Sequence, residues 1–234
     1  QHSCYIFEIG NVFYKNSEFI QEEILNGAIF GNKKFGAWVN SGKDNDLNYY
    51  EARGKLKEAL SSLNIKVDDK PTNSIDFLHP GRTAKLFIEG KDAGYFGEIH
   101  PKLILDKTAL KKVYLFSINV ANLLGASTRK NKWIPIYKQY PIVPKMERDI
   151  NFIFSKEHLI SEITSEIRKT GKNLLEDVNL IDVFKDINFG EDFISYTFRL
   201  SYRDKDKTLL DSDISSIHSN IVSKVEKRFN TKLR

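Results

Sequence analysis

The runs RDINFIF (148–154) and FISYTFRLSYR (193–203) decide the fold of the second half of the chain, and the reading works outward from them. Each is a short run of β-branched and aromatic residues, the composition of a strand. After the first comes KEHLISEITSEIRKT (156–170), which places Leu159, Ile163 and Ile167 on one helical stripe. LLEDVNLIDVF (174–184) reads as a second strand ahead of the third. DSDISSIHSNIVSKVEKRF (211–229) then sets Ile214, Ile217, Ile221, Val225 and Phe229 on one apolar helix face, stops near Asn230, and leaves TKLR as an edge strand. The order is β-α-β-β-α-β, the split or ferredoxin-like arrangement. Along 193–203, Ile194, Tyr196, Phe198, Leu200 and Tyr202 alternate with Thr197, Arg199, Ser201 and Arg203. The apolar set faces the helices, so the second set is the candidate surface for RNA or another partner, against the simpler reading of a solvated face.

Upstream, YPIVP (140–144) is a natural break because Pro141 and Pro144 resist regular structure. The domains expected are 1–138 and 139–234. The first half is read as a mixed, mainly antiparallel sheet with helices laid on it, so the whole chain is α+β. Its strands are CYIFEIGNVFY (4–14), NGAIFG (26–31), RTAKLFIEG (82–90), DAGYFGEI (92–99) and KVYLFSIN (112–119), the third and fourth forming a hairpin. Its helices are YYEARGKLKEALSSLNI (49–65), with Tyr50, Leu56, Leu60 and Leu63 mostly on one face, PKLILDKTAL (101–110), and a short one at NVANLLG (119–125). Gly31 to Asn48 is read as a polar loop.

With 234 residues, 41% of them hydrophobic, the chain can bury two modest cores. No run approaches the ~20 apolar residues of a membrane span, and no secretory leader opens the sequence, so no membrane partner is expected. A single cysteine, Cys4, excludes an internal disulfide framework and a multi-cysteine zinc site; its apolar surroundings predict a small buried side chain. The net charge is +5, yet from Pro141 onward 16 basic residues balance 16 acidic ones, so the surplus lies in the first half. Residues 111–140 hold six Lys/Arg and no acid, a basic connector suited to RNA or an acidic surface.

The search for chemistry finds no phosphate loop and no dinucleotide fingerprint. The five histidines stand singly, with no metal-ligand spacing. GKDNDLN (42–48) and SYRDKDKTLLDSD (201–213) are acidic but lack the calcium-loop order, and Asp211 or Ser212 reads instead as a helix cap. FLHPGRTAKLFIEGKDAGYFGEIHP (77–101) holds two His-Pro pairs around an arginine and an acid. His79 and Arg82 near a turn could take a carboxylate or phosphate. No nucleophile with a base and an orienter accompanies them, so His79, Arg82, Glu98 and His100 are candidates for structural or interface positions. No catalytic residue and no metal ligand is assigned.

FEIGNVF (7–13), FLHPGRTA (77–84) and GYFGEIHP (94–101) resemble consecutive landmarks of the catalytic-like module of bacterial-type phenylalanyl-tRNA synthetase beta subunits. YPIVPKMERDI (140–150), LLEDVNLIDVF, SYTFRLSYRDKDKTL (195–209) and IHSNIVSKVEKRFNTKLR (217–234) resemble that family's ferredoxin-fold anticodon-binding domain. The resemblance covers nearly the whole chain as the C-terminal third of such a subunit. It implies an alpha2-beta2 tetramer that joins phenylalanine to tRNA(Phe) with ATP and Mg2+. The alpha subunit carries the catalytic centre, while the beta module has a class II synthetase-like fold without its working chemistry. The family's beta-side magnesium ligands and its editing domain lie in regions not matched here, so this stretch is expected to bind neither Mg2+ nor ATP. Asn230 stands at a usual glycine place, and KMERDI departs from the commoner RRDI form. The alternative is a protein-interaction scaffold that does not touch RNA, motivated by the neutral balance of 141–234; a third reading is a small anion-binding enzyme centred on His79 and Arg82. The Lys-, Ile- and Asn-rich composition suits an AT-rich genome, which places the chain in an algal plastid stroma, slightly ahead of a bacterial cytoplasm.

Overall fold

A computed structural model describes residues 4–15, 17–31, 46–104, 112–129, 134, 137, 139, 141–186, 189–190 and 192–234. The chain divides into two compact units, Gln1–Tyr137 and Lys138–Arg234. Each has its own hydrophobic cluster, with no residue in common.

In the first unit the elements are β1 (Cys4–Lys15), β2 (Phe19–Phe30), α1 (Tyr49–Ser61), β3 (Val67–Pro71), β4 (Leu78–Ile88), β5 (Lys91–Ile99), β6 (Val113–Asn119) and α2 (Val120–Ser127). The strands form one sheet in the order β1-β2-β6-β5-β4-β3, every neighbouring pair antiparallel. The β4–β5 hairpin turns where the sequence places it. Two strands exceed the reading from sequence. β2 begins at Phe19, seven residues before NGAIFG, because twelve register pairs with β1 carry the charged FIQEE segment into the ladder. β3, short and acidic, is an edge strand whose Asp69 is held by Arg53 of α1 through two hydrogen bonds, at 2.8 and 2.6 Å.

The α1 face also differs. Leu56 and Leu60 are buried as expected, joined by Ala52 and Arg53, but Tyr50 is 82% exposed and Leu63, beyond the helix, is 40% exposed. Tyr49 turns inward instead, edge-on to Phe96 and Tyr114. A capping box between Asn48 and Glu51 starts the helix and orients this turn. Of the helix expected over 101–110, a single 3-10 turn at Pro101–Leu103 is seen, and 105–110 lie outside the described residues. Cys4 is half-buried rather than buried, since β1 is an edge strand.

The second unit contains β7 (Met146–Ser155), α3 (Ile160–Gly171), β8 (Leu175–Phe184), β9 (Phe193–Tyr202) and α4 (Asp211–Phe229). β9 lies between β7 and β8, antiparallel to both, and TKLR adds an antiparallel bridge, Leu233 to Phe152, on the outer edge of β7. That is the ferredoxin-like arrangement, its fourth strand reduced to one bridge and the Arg234 N–H donating to the Asn151 carbonyl at 2.9 Å. Ile163 and Ile167 of α3 and Ile214, Ile221, Val225 and Phe229 of α4 are buried against Ile194, Tyr196, Phe198, Leu200 and Tyr202 of β9. Leu159 stays partly exposed as the residue before the helix. The α4 cap is Asp213, whose carboxylate accepts from the Leu210 N–H at 3.0 Å, whereas Asp211 pairs with Arg148. Asp213 holds this position because it lies one turn in, where its side chain reaches back to the free N–H.

Candidate nucleic-acid interface

Both helices of the second unit pack on one sheet face, and the opposite face carries a polar lattice. On β9, Ser195, Thr197, Arg199 and Ser201 stand opposite Ile153, Asn151, Asp149 and Glu147 of β7. Arg199 donates two hydrogen bonds to Asp149, at 2.9 and 2.8 Å. That bidentate contact holds the Asp149 carboxyl below its ordinary value and pushes the guanidinium still higher. Asn151 donates to Thr197 Oγ1 at 2.7 Å and accepts from Ser195 at 2.9 Å. Ser201 donates to Glu147 at 3.3 Å. Arg203, just past the strand end, lies 3.1 Å from Glu176. Thr197, Arg199 and Ser201 thus share the helix-free face, with Arg203 at its rim. Both cations already face carboxylates on the neighbouring strands.

A second cluster on this face escaped the sequence reading. Phe184, at the end of β8, pairs in register with Ser195 and is 43% exposed. Its ring meets Phe189 edge-on with centroids 6.3 Å apart. The Arg234 guanidinium lies 5.6 Å from the Phe184 centroid and 5.0 Å from that of Phe189. Among the described residues, no carboxylate lies within ion-pair reach of Arg234. Two partly open rings under a cation form a stacking platform of the kind that takes a nucleic-acid base. Phe184 and Arg234 are 50 positions apart, so only the sheet brings them together.

In the first unit the His-Pro stretch resolves into structure. His79 Nδ1 accepts the Gly81 N–H at 3.0 Å and His100 Nδ1 accepts the Lys102 N–H at 3.2 Å. In each, proline offers no N–H and the imidazole takes the one that follows. Arg82 donates to both oxygens of Glu98, each at 3.0 Å, and the Glu98 side chain is only 6% exposed. The four residues therefore form two turn caps and one ion pair, and bring no nucleophile with them. Tyr114, beside Glu98, is pushed well above the usual phenol range, chiefly by burial, and its hydroxyl donates to the Leu47 carbonyl at 2.9 Å.

Among the described residues, no three His, Cys, Asp or Glu side chains converge as a metal site. Asp204 is engaged with the backbone N–H groups of Asp206 and Lys207, and residues 42–45 of the other acidic segment lie outside the described residues. Among the described residues the donors do not make a magnesium set. Among the described residues no helix is long and apolar enough to cross a membrane.

Two family models match the chain, one over most of each unit. The one for the "Phenylalanyl tRNA synthetase beta chain CLM domain" matches residues 1–120, and the one for the "Ferredoxin-fold anticodon binding domain" matches 141–234. The chain belongs to the phenylalanyl-tRNA synthetase beta chain family. It is 82% identical over 234 residues to the phenylalanine–tRNA ligase beta subunit of Prochlorococcus marinus (strain MIT 9312), covering 100% of this chain and 29% of that protein. It is 66% identical over 231 residues to the corresponding subunit of Prochlorococcus marinus subsp. pastoris, covering 99% and 28%. Against that of a Synechococcus strain the identity is 40% over 232 residues, covering 99% and 29%. The chain therefore spans less than a third of the length of these relatives.

Proposed function

We propose that this chain is the tRNA-facing and assembly portion of a phenylalanine–tRNA ligase beta subunit. In this reading it works beside an alpha catalytic subunit in an alpha2-beta2 tetramer that attaches phenylalanine to tRNA(Phe) using ATP and Mg2+. It supplies no reacting group: its second unit holds the anticodon arm, and its first unit supports the assembly. The observation that carries the reading is the Phe184–Phe189–Arg234 platform on the helix-free face of a domain whose family is described as anticodon-binding. Thr197, Arg199, Ser201 and Arg203 border the same face and would orient the backbone.

The electrostatics indicate what kind of contact this is. Arg199 and Arg203 face Asp149 and Glu176, so little free positive charge is left for phosphates. Stacking therefore dominates over counterion release. Base–aromatic stacking is worth about 1–3 kcal/mol per base. Phe184→Ala in the assembled tetramer is expected to weaken tRNA binding by that amount, with an almost unchanged salt slope. Footprinting and affinity titration on the same variant check it. Full protection of the anticodon arm with undiminished affinity in Phe184→Ala and Arg234→Ala together would remove the platform from the mechanism. The acid-laced face favours, as a second reading, a scaffold that meets protein alone; it predicts that removal of residues 141–234 leaves tRNA protection intact. The Lys-, Ile- and Asn-rich composition supports an algal plastid stroma slightly ahead of a bacterial cytoplasm, and the cyanobacterial sources of the relatives do not distinguish the two.

A further inference from the structure

We propose that Asp149 and Glu176 are specificity-determining residues, which hold Arg199 and Arg203 so that the open sheet face of the second unit cannot retain RNA by phosphate contacts alone. This role rests on the tRNA-facing reading of the unit and concerns what the face turns away. Along β9, Thr197 stands in register between Asn151 and Asp182, Arg199 between Asp149 and Asn179, and Ser201 between Glu147 and Asp177. Residues opposed in this way share a face, so four carboxylates surround the one arginine within the strand.

Phosphate contacts supply the non-specific part of nucleic-acid affinity and carry no sequence information. A face bearing free arginines would therefore hold every RNA. Here that attraction is cancelled at its source. Arg199 donates to both oxygens of Asp149, at 2.9 and 2.8 Å, and Glu147 acts on it through space. The Arg203 Nε lies 3.1 Å from Glu176. The Asp149 and Glu176 side chains are each 43% exposed, so RNA laid over the sheet meets their charge directly. The aromatic platform lies elsewhere on the face. Ser195 is the register partner of Phe184, and Arg199 stands four residues further along β9, ~13 Å at the rise of a strand. That exceeds the Debye length of about 8 Å at physiological ionic strength. The repulsion therefore falls on RNA spread across the sheet centre and is screened from a base seated on Phe184. Selectivity is a difference of two affinities, and a repulsive element aimed at the wrong partner widens it.

The test uses the assembled tetramer carrying Asp149→Asn or, as a second variant, Glu176→Gln, titrated with tRNA(Phe) and with an unrelated tRNA at about 0.15 M salt. Thermal melting against wild type establishes that at least one variant is folded. The expected result is that the unrelated tRNA binds about threefold tighter, with a salt slope steeper by roughly 0.7, while tRNA(Phe) gains less. Adding Arg199→Gln to Asp149→Asn, or Arg203→Gln to Glu176→Gln, is expected to return the unrelated tRNA to wild-type affinity. An unrelated tRNA that binds the folded variants no tighter than wild type overturns the role. So does an equal gain for both RNAs, or a gain that persists once the arginine is gone. The Phe184→Ala, Arg234→Ala double variant, titrated in parallel, tells two failures apart. If it weakens tRNA(Phe) while the acid variants change nothing, only the role of the carboxylates falls. If it too leaves tRNA(Phe) unchanged, the tRNA-facing reading falls with it.

Discussion

At the scale of single residues, Arg82 and Glu98 show how site-like chemistry becomes architecture. A carboxylate 6% exposed needs a donor, and Arg82, itself about half exposed, supplies one nitrogen to both oxygens. Arg82→Ala is expected to cost about 1–3 kcal/mol, because Glu98 is then left buried without its partner. Glu98→Gln in the Arg82→Ala background should recover part of the loss. Urea denaturation of the four members of that cycle measures it, and equal midpoints for Arg82→Ala and wild type would refute the pair's structural role. Residue types in FLHPGRTA and GYFGEIHP were legible as anion-binding or structural. The choice between them needed the 16-position separation of Arg82 and Glu98 to be closed by the β4–β5 ladder.

At the scale of elements, helix ends are where local sequence and tertiary context meet. α4 ends on Asn230 in the left-handed region, φ 48°, a conformation that glycine adopts without steric cost. Asn230→Gly is therefore expected to stabilise the second unit slightly, by up to about 1 kcal/mol, and Asn230→Val to destabilise it by about 1–2 kcal/mol. Thermal melts of the two variants test this, and a Val variant as stable as wild type would contradict the cap geometry. Gly94 makes the same point in the sheet. At φ +137° an added Cβ would stand 1.9 Å from the Ser117 carbonyl oxygen, so β5 and β6 meet only across a glycine. The α4 stripe and the β9 alternation were readable because their periods repeat over many residues. The long β2 and the edge strand β3 were not, because charged residues in them are tolerated only through pairing with β1 and β4.

At the scale of the molecule, the pH response of the second unit sums over groups whose partners lie on different elements. Asp149, hydrogen-bonded by Arg199, and Asp177, hydrogen-bonded by Arg168, sit below the ordinary 3.8 in the folded state. Their stabilisation is present above that value and is lost as the pH falls below it. His218, half-buried on α4 beside Tyr202, is lowered from 6.5, first by burial and then by Arg148. A base with a depressed folded pKa destabilises the fold as the pH drops through 6.5, since the unfolded chain takes the proton first. Two successive losses are expected on acidification, the upper one absent in His218→Gln. Urea midpoints followed from pH 8 to 3 measure both; an upper step that persists in His218→Gln would assign it elsewhere.

The sequence by itself determined the two-part organisation, the β-α-β-β-α-β order and the family, because periodicity, proline breaks and ordered landmarks are properties of the chain read in one dimension. Only the tertiary structure decided what the open sheet face presents. Arg199 is spent on Asp149 across 50 positions, while Arg234, at equal distance from Phe184, forms the aromatic platform with it. Charges and rings can be counted in a sequence. Which of them are already paired depends on strand register, and register is set by the whole sheet.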